Sequence, residues 1–234
     1  MVTLKYQERF KTIKGVFDEF TNRTLFKIQK KNAFDELLCP FSIGKESNVF
    51  LAKKGEDKVI VKIYRIQNCD FKRMYDYIKQ DPRYEFIKKK SRQIILTWVQ
   101  REYKNLLKAE RAKVSAPKVL AWKNHIIIEE MIGKGMPAPQ LKDSIPVYPY
   151  QFLEEILGEM KKLYREGLVH GDLSPFNILN HQEKPVFIDF SQATLVKSRN
   201  STDLLNRDIK NVLNFFKKQG IEENTEKVFK KITE

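Results

Sequence analysis

The chain has 234 residues, of which 41% are hydrophobic, and it contains 16 Phe and 9 Tyr. This length and composition predict a folded globular protein, either one two-lobed domain or two small domains, and argue against a disordered chain. A formal net charge of +14 at pH 7 favours partners that carry phosphate groups.

The sequence gives no sign of membrane insertion or secretion. No stretch is apolar for long enough to cross a bilayer, and no secretory signal precedes the first structured region. The two cysteines, Cys39 and Cys69, lie far apart and form no metal-ligand pair. A disulfide framework or a zinc site is therefore not expected, and a cytoplasmic location is favoured.

Helical spacing comes first along the chain, and strand patterns follow. Residues 1–40 have apolar residues on one helical face and are interpreted as an N-terminal helical extension. Strand patterns then occupy 49–52 and 59–64. The polar, basic stretch 67–91, which Pro82 interrupts, predicts a long loop or a pair of short helices.

The helical period returns over 92–113, and two more strands are predicted at 118–122 and 125–131. The segment 133–149 contains two glycines and four prolines, which predict an irregular crossover. An amphipathic helix should follow, with Gly167 as its C-terminal cap. Short strands at 168–170 and 186–189 and a helix over 204–216 complete the pattern.

This order of elements predicts an α+β protein with a protein-kinase-like arrangement of two lobes and a cleft between them. The N-lobe would comprise residues 41–132, with a small antiparallel sheet and one main helix. Residues 133–149 would form the hinge, and residues 150–234 a mainly helical C-lobe. Few residues separate Asp189 from the last predicted helix and no Ala-Pro-Glu sequence occurs, so the usual activation segment should be lacking.

The strongest chemical signal is the sequence His-Gly-Asp-Leu-Ser-Pro-Phe-Asn at 170–177, followed by an apolar strand that ends in Asp189. This pattern predicts a metal-assisted phosphoryl-transfer centre. Asn177 and Asp189 would bind Mg²⁺ or Mn²⁺ through oxygen, and Asp172 would orient the attacking hydroxyl or water and accept its proton. His170 would be structural. The alternative is a surface turn followed by a strand that happens to end in Asp.

A second signal lies upstream, where small polar residues between two strands would let backbone N–H groups approach the phosphates of ATP. The residues concerned are Ser42, Gly44, Lys45, Glu46, Ser47 and Val49. An ordinary β-turn would also explain them. Lys62 interrupts an otherwise apolar strand, which predicts that its charge is paired with ATP phosphate and a carboxylate, unless the strand has a solvated edge.

The carboxylate for Lys62 should come from the helix 92–113. Glu102 is the best candidate because it lies four residues after Trp98 and borders the apolar face. The alternative interpretation is that Glu102 forms an exposed salt bridge with a neighbouring lysine. The backbone carbonyl of Glu130 and the N–H of Ile132 are the candidates for contact with adenine, although a buried strand that touches no ligand explains them too.

With these residues in place, the sequence resembles the RIO family of atypical serine/threonine kinases, and its type 1 branch in particular. The resemblance covers about residues 10–220. The motifs that carry it extend from the Ser-Ile-Gly-Lys-Glu-Ser loop at 42–47 to the Ile-Asp-Phe-Ser-Gln run at 188–192. It implies that Lys62 and Glu102 position the phosphates, that Asp172 is the acid/base, and that Asn177 and Asp189 bind the metal. It also implies that Asp189 can itself accept the phosphoryl group.

The same resemblance implies a role in late maturation of the small ribosomal subunit. Residues 61–113 hold 15 Lys and Arg against 6 Asp and Glu, a net charge of +9, which fits contact with ribosomal RNA. A solvated lysine-rich surface would explain the charge as well.

Two departures from the type 1 pattern are present. Ser47 stands where that branch usually has Ala, and Gly171 is more typical of small-molecule kinases. Type 2 is disfavoured because only about 40 residues precede the phosphate loop, too few for its winged-helix domain, and because Ser191 stands where that branch has Pro.

Three functions therefore compete. The first is a RIO-type kinase or ATPase that acts on a ribosomal precursor particle. The second is a small-molecule phosphotransferase of the aminoglycoside or choline kinase type, which shares the His-Gly-Asp…Asn and Ile-Asp-Phe patterns. The third is a non-catalytic RNA-binding scaffold, which need not retain Lys62, Asp172, Asn177 and Asp189 together.

Overall fold

The computed structural model describes residues 16–66 and 69–234, so the first 15 residues of the predicted N-terminal extension lie outside the description. The described residues divide into two compact units. The first unit contains residues 16–66, 69–76, 87–103 and 119–131, and the second contains 77–86, 104–118 and 132–234.

The first unit is built on a five-stranded antiparallel sheet with the order β1-β2-β3-β5-β4. Its strands are β1 (Glu36–Ile43), β2 (Ser47–Lys54), β3 (Asp57–Tyr64), β4 (Val119–Lys123) and β5 (Ile126–Glu130). The central strands are rich in Val and Ile, which suit a pleated, buried surface. Val61 and Ile128 lie opposite each other and are fully buried, so these strands form the core of the unit.

Within the described residues, helix α1 (Glu19–Gln29) precedes the sheet, and the side chain of Asp18 caps it by accepting a hydrogen bond of 2.7 Å from Thr21 N–H. The helical pattern predicted through residue 40 is wrong beyond this helix, because β1 begins at Glu36. Leu37, which fits a helical face in the sequence, instead pairs with Ala52 of β2 and is fully buried.

The basic stretch 67–91 contains two short helical elements, as one of the two predicted alternatives requires. They are α2 (Phe71–Lys79) and a 3₁₀ turn (Pro82–Tyr84). The long helix α3 (Ser91–Arg111) then matches the predicted helix 92–113 closely. Its buried face includes Ile95, Trp98 and Val99.

The second unit is mainly helical. It contains the C-terminal part of α3 and the helices α4 (Pro149–Arg165), α5 (Ser201–Lys217) and α6 (Thr225–Thr233). It also has two short strand pairs, β6 (Leu168–Val169) with β9 (Thr194–Leu195) and β7 (Ile178–His181) with β8 (Lys184–Phe187). Gly167 ends α4 with a φ of 81° and donates its N–H to Tyr164 O at 2.8 Å, so its predicted capping role is confirmed. The antiparallel sheet of one unit and the helices of the other confirm the predicted α+β class.

A 3₁₀ turn (Phe190–Gln192) follows Asp189 directly, and α5 begins soon after it at Ser201. Among the described residues, no helix is both long enough and apolar enough to span a lipid bilayer.

Candidate active site

The predicted phosphate loop is the connection of the β1–β2 hairpin. Gly44 N–H donates to Ser47 O at 2.9 Å, and a Cβ at Gly44 would lie only 3.0 Å from that same oxygen. A side chain would therefore crowd the turn, which accounts for glycine here. Ser42, Gly44 and Lys45 are exposed. Arg65, which directly follows β3, donates its backbone N–H to Glu46 O at 2.9 Å.

Lys62 lies in the middle of β3, where it pairs with Val49 of β2 and Ile127 of β5. Its Nζ lies 2.7 Å from Glu102 Oε1, and the two side chains are 9% and 0% exposed. The Tyr64 hydroxyl donates to the second oxygen of the same carboxylate. Lys62 lies on a central strand, which excludes the alternative that it occupies a solvated strand edge. Glu102 is completely buried, which excludes the alternative that it forms an exposed salt bridge.

Helix α3 delivers Glu102 to this position because its apolar face also carries Trp98, which is 1% exposed. Residues four apart share a helical face, so burying the indole also buries the carboxylate next to it. A buried carboxylate is costly unless it is paired, and the Lys62 ammonium with the Tyr64 hydroxyl provides that pairing. The roles of Lys62 and Glu102 toward a nucleotide stay predictions.

The two residues predicted to contact adenine have different surroundings. Glu130 ends β5, opposite Val59, with an exposed side chain. The carbonyl of Ile132 accepts a hydrogen bond of 2.7 Å from Ala138 N–H. Gly133 has a φ of 135°, and a Cβ there would come within 2.1 Å of Met136 O, so the crossover turns too tightly for any side chain.

Asp172 lies in the second unit, on the loop between β6 and β7, and its carboxylate is held by amide groups. Oδ2 accepts from Gln192 Nε2 at 3.0 Å and from Asn177 Nδ2 at 3.3 Å. Oδ1 lies 3.9 Å from Arg207 Nη2, and 39% of the Asp172 side chain is exposed. This carboxylate is therefore both oriented by the protein and accessible to a reactant.

Asp208 of α5 is a buried anchor for the same loop, and the sequence-based prediction missed it. Its carboxylate accepts from Gly171 N–H at 2.7 Å and from Leu173 N–H at 2.9 Å, on either side of Asp172. Burial raises the pKa of Asp208 to about 7, although the two backbone donors counteract this effect. Arg207 adds a hydrogen bond to the carbonyl of Gly171.

The predicted structural role of His170 agrees with its surroundings. Its ring is 2% exposed and packs against Phe187 and Phe190, with centroid distances of 6.1 and 4.8 Å. His170 Nε2 lies 3.1 Å from the carbonyl of Ile188 and donates to it. His170 thus ties the start of the loop to the residue that precedes Asp189.

Asn177 and Asp189 carry side-chain oxygen atoms of the kind that Mg²⁺ binds. Asn177 Nδ2 donates to the carbonyl of Asp172 at 2.8 Å, which leaves its amide oxygen as the ligand atom. Asp189 adds a carboxylate from a left-handed backbone position with a φ of 62°. In residues 16–66 and 69–234 no cluster of three or more His, Cys, Asp or Glu could hold a metal alone. Mg²⁺ does not need one, because it commonly binds one or two protein groups together with water and substrate phosphates.

A buried asparagine, Asn105, holds the 3₁₀ turn that follows Asp189, and this residue was also missed. Its Nδ2 donates to Phe190 O at 3.0 Å and to Ala193 O at 2.7 Å. Its amide oxygen accepts from Arg83 Nη2 at 2.9 Å. The only sequence signal for Asn105 is a polar residue on the apolar face of α3, next to Leu106.

The sequence is similar to known kinases over almost its whole length. Residues 48–229 match the family model described as the RIO domain. The chain is 41% identical over 231 residues to the RIO-type serine/threonine-protein kinase Rio1 of Methanocaldococcus jannaschii, covering 98% of this chain and 79% of the relative. It is 38% identical over 232 residues to Rio1 of Haloferax volcanii, covering 98% of this chain and 80% of that relative.

The fold is similar to that of the Rio2 kinase from Chaetomium thermophilum, solved as an ADP/Mg²⁺-phosphoaspartate complex. The TM-score is 0.70 at 18% sequence identity, and the match covers 91% of this chain and 66% of the Rio2 chain, just under two thirds. At this identity the similarity concerns the fold, and it confirms the predicted kinase-like architecture.

Proposed function

The chain belongs to the RIO family of serine/threonine-protein kinases, and we propose that it transfers the γ-phosphoryl group of ATP to a serine or threonine hydroxyl, or to water, during maturation of the small ribosomal subunit. The observation that carries the catalytic part is the Asp172 carboxylate, which two amide groups orient while 39% of its side chain stays exposed. A carboxylate held in this way can accept the proton of an attacking hydroxyl.

The remaining roles follow from the chemistry of each group. The phosphate loop at 42–47, in which Ser42, Gly44 and Lys45 are exposed, would contact phosphate oxygens, and Lys62, fixed by Glu102, supplies a positive charge for them. Asn177 and Asp189 would hold Mg²⁺, which when bound neutralises part of the negative charge of the phosphates. The attacking oxygen bonds to phosphorus, the bond to ADP breaks, and Asp172 takes the hydroxyl proton.

The proposed ribosomal partner is supported by a basic cluster within the first unit. Lys72 and Arg73 of α2 are exposed, and so are Lys88, Lys89 and Lys90 before α3. Lys89 Nζ lies 5.6 Å from the centre of the Tyr75 ring, which brings the lysine run beside α2. Such a concentration of cations would bind an RNA backbone through its phosphates.

Asp172→Asn tests the catalytic proposal, with ADP release and protein phosphorylation measured in the presence of ATP and Mg²⁺. We expect kcat to fall by about 10²- to 10⁴-fold, which is the usual contribution of a general base. Asp203→Asn is the matched control, because Asp203 is an exposed acid in the first turn of α5. Near-normal turnover by Asp172→Asn would refute the assigned role, and rapid phosphorylation of a small alcohol or amine would point to the rival phosphotransferase.

The RNA proposal is tested with Lys88, Lys89 and Lys90 changed together to Ala, using a fragment of precursor small-subunit rRNA as the probe. Affinity should fall, and the slope of log affinity against log salt should decrease, because fewer counterions are released. A triple change of the exposed Lys218, Lys227 and Lys230 to Ala removes the same charge elsewhere and serves as the control. Equal losses in both variants would mean that the lysine run is not the contact surface.

A further inference from the structure

We propose that Asp81, Arg83 and Asn105 are positioning residues for catalysis, because they hold the turn that carries Gln192 against the carboxylate of Asp172. All of these residues belong to the second unit. The inference rests on the proposed function, since it concerns how the proton acceptor of that reaction is kept in place. It assigns a role in catalysis to the segment 81–83, for which the sequence predicts only that it belongs to a basic stretch.

The chain of contacts starts at Asp81, whose carboxylate is completely buried. Its Oδ1 accepts from Arg83 Nε at 2.9 Å, and its Oδ2 accepts from Arg83 Nη2 at 2.6 Å. Two parallel bonds between a guanidinium and a carboxylate fix the plane of the arginine. Oδ1 also accepts from the backbone N–H of Arg83 at 3.0 Å, so Asp81 shapes the 3₁₀ turn and aims the guanidinium together.

Arg83 in turn fixes the amide of Asn105. An arginine can only donate hydrogen bonds, so the Asn105 atom 2.9 Å from Arg83 Nη2 must be its carbonyl oxygen. The amide nitrogen of Asn105 then points the other way, where it donates to Phe190 O and Ala193 O at 3.0 and 2.7 Å. Asn105 therefore binds both ends of the turn, and Arg83 prevents its amide from flipping.

The turn delivers Gln192 to Asp172. Gln192 is 7% exposed, and its Nε2 lies 3.0 Å from Asp172 Oδ2. The bond from Asn177 to the same oxygen is longer, at 3.3 Å, and Arg207 stands 3.9 Å from the other oxygen. Gln192 thus makes the shortest of these three side-chain contacts to Asp172. Because small errors in the position of a reacting group can cost about 10²-fold in rate, this contact should matter for turnover.

The test compares Gln192→Met and Arg83→Lys with wild type in steady-state ATP turnover. Methionine keeps the length of glutamine but cannot donate, so kcat should fall by about 10²-fold with little change in KM for ATP. Lysine keeps a positive charge for Asp81 but cannot bond Asp81 and Asn105 with one rigid fork, so we expect a fall of about 10-fold. Gln151→Met and Arg111→Lys, both at exposed positions, are the matched controls and should retain wild-type kcat.

The double variant Gln192→Met/Arg83→Lys distinguishes positioning from general damage. If Arg83 acts through the turn, its loss should add almost nothing once Gln192 no longer donates, so the double variant should match Gln192→Met. Multiplying losses, or a rise in KM without a fall in kcat, would overturn the inference. If both single variants keep wild-type kcat while Asp172→Asn is inactive, the inference fails and the proposed function stands. If Asp172→Asn is active, the proposed function itself fails.

Discussion

Replacing Lys62 by methionine removes the ammonium that lies 2.7 Å from Glu102 Oε1 and leaves a carboxylate that is 0% exposed. Removing one partner of a buried ion pair typically costs about 3–5 kcal/mol, because the remaining charge is shielded from water and has lost its counter-ion. The Tyr64 hydroxyl still donates to Glu102, so the lower end of that range, about 3 kcal/mol, is expected.

The double variant Lys62→Met/Glu102→Gln should be more stable than the single variant, although it carries one change more. It removes both charges, and the amide oxygen of the new glutamine can still accept from Tyr64. The remaining cost is an amide donor without its acceptor in the interior, about 1–2 kcal/mol. The two side chains therefore lose more stability when they are separated than when both charges are absent.

Urea unfolding followed by tryptophan fluorescence measures these differences. The two tryptophans of the chain, Trp98 and Trp122, both belong to the first unit, so their emission reports the unit that contains the pair. With a slope of about 2 kcal/mol per M, a loss of 3 kcal/mol lowers the urea midpoint by about 1.5 M. A loss below about 1 kcal/mol in the single variant, or a double variant less stable than the single one, would refute the reasoning. Since natural domains have about 5–15 kcal/mol of stability, Lys62→Met should stay folded in buffer, and its expected loss of ATP turnover can then be assigned to the missing ammonium.

Three further predictions concern single residues. Burial lowers the pKa of His125 from 6.5 to about 4, so the free energy of unfolding should fall by about 3 kcal/mol as pH drops from 6.5 to 4. His125→Gln should flatten this pH dependence, as measured by urea unfolding at each pH. Asp208→Asn places an amide N–H opposite one of the two backbone N–H groups that Asp208 accepts from, so we expect the free energy of unfolding, measured by thermal unfolding, to fall by about 1–3 kcal/mol and kcat to fall as well. Unchanged values would show that the loop needs no such anchor. Gly171→Ala places a Cβ 2.9 Å from Gln192 O at a φ of 75°, so stability and kcat should both fall, stability by about 1–3 kcal/mol. The control Gly158→Ala, in open space on α4, should keep kcat and raise stability by about 0.5–1 kcal/mol, as alanine does in a helix.

The elements that position Lys62 and Glu102 could be predicted because their sequences agree with their surroundings. β3 reads Val-Ile-Val-Lys-Ile over 59–63, and α3 repeats apolar residues with a helical period. In β3 Lys62 is the one charged residue in the apolar run 59–63, and in α3 Glu102 borders the apolar face. An unpaired charge in such a position is costly, so the interruption itself predicted the partner.

β1 could not be predicted, because its own sequence has no strand pattern. All of its residues from Pro40 to Ile43 are exposed, and Pro40 lies inside it. Such residues are tolerated at the edge of a sheet, where one side of the strand needs no hydrogen bonds, and β1 is an edge strand. Pairing with β2 therefore decides its structure, and that pairing is a tertiary contact that alternation of side chains does not report.

Asp208 and Asn105 are intermediate in predictability between Lys62 and Glu102 on one side and β1 on the other. Asp208 stands four residues after Leu204 and four before Val212, so it interrupts the apolar stripe of α5 in the same way that Lys62 interrupts β3. The interruption could have marked it as a buried, paired acid. Its partners, however, are backbone N–H groups 37 and 35 residues earlier in the chain, and every residue except proline carries such a donor. A side chain that binds another side chain can be matched to a chemically distinctive partner in the sequence, as Glu102 was to Lys62. A side chain that binds backbone has no such partner to find, which is why the residues that brace the loop around Asp172 emerge only from the fold.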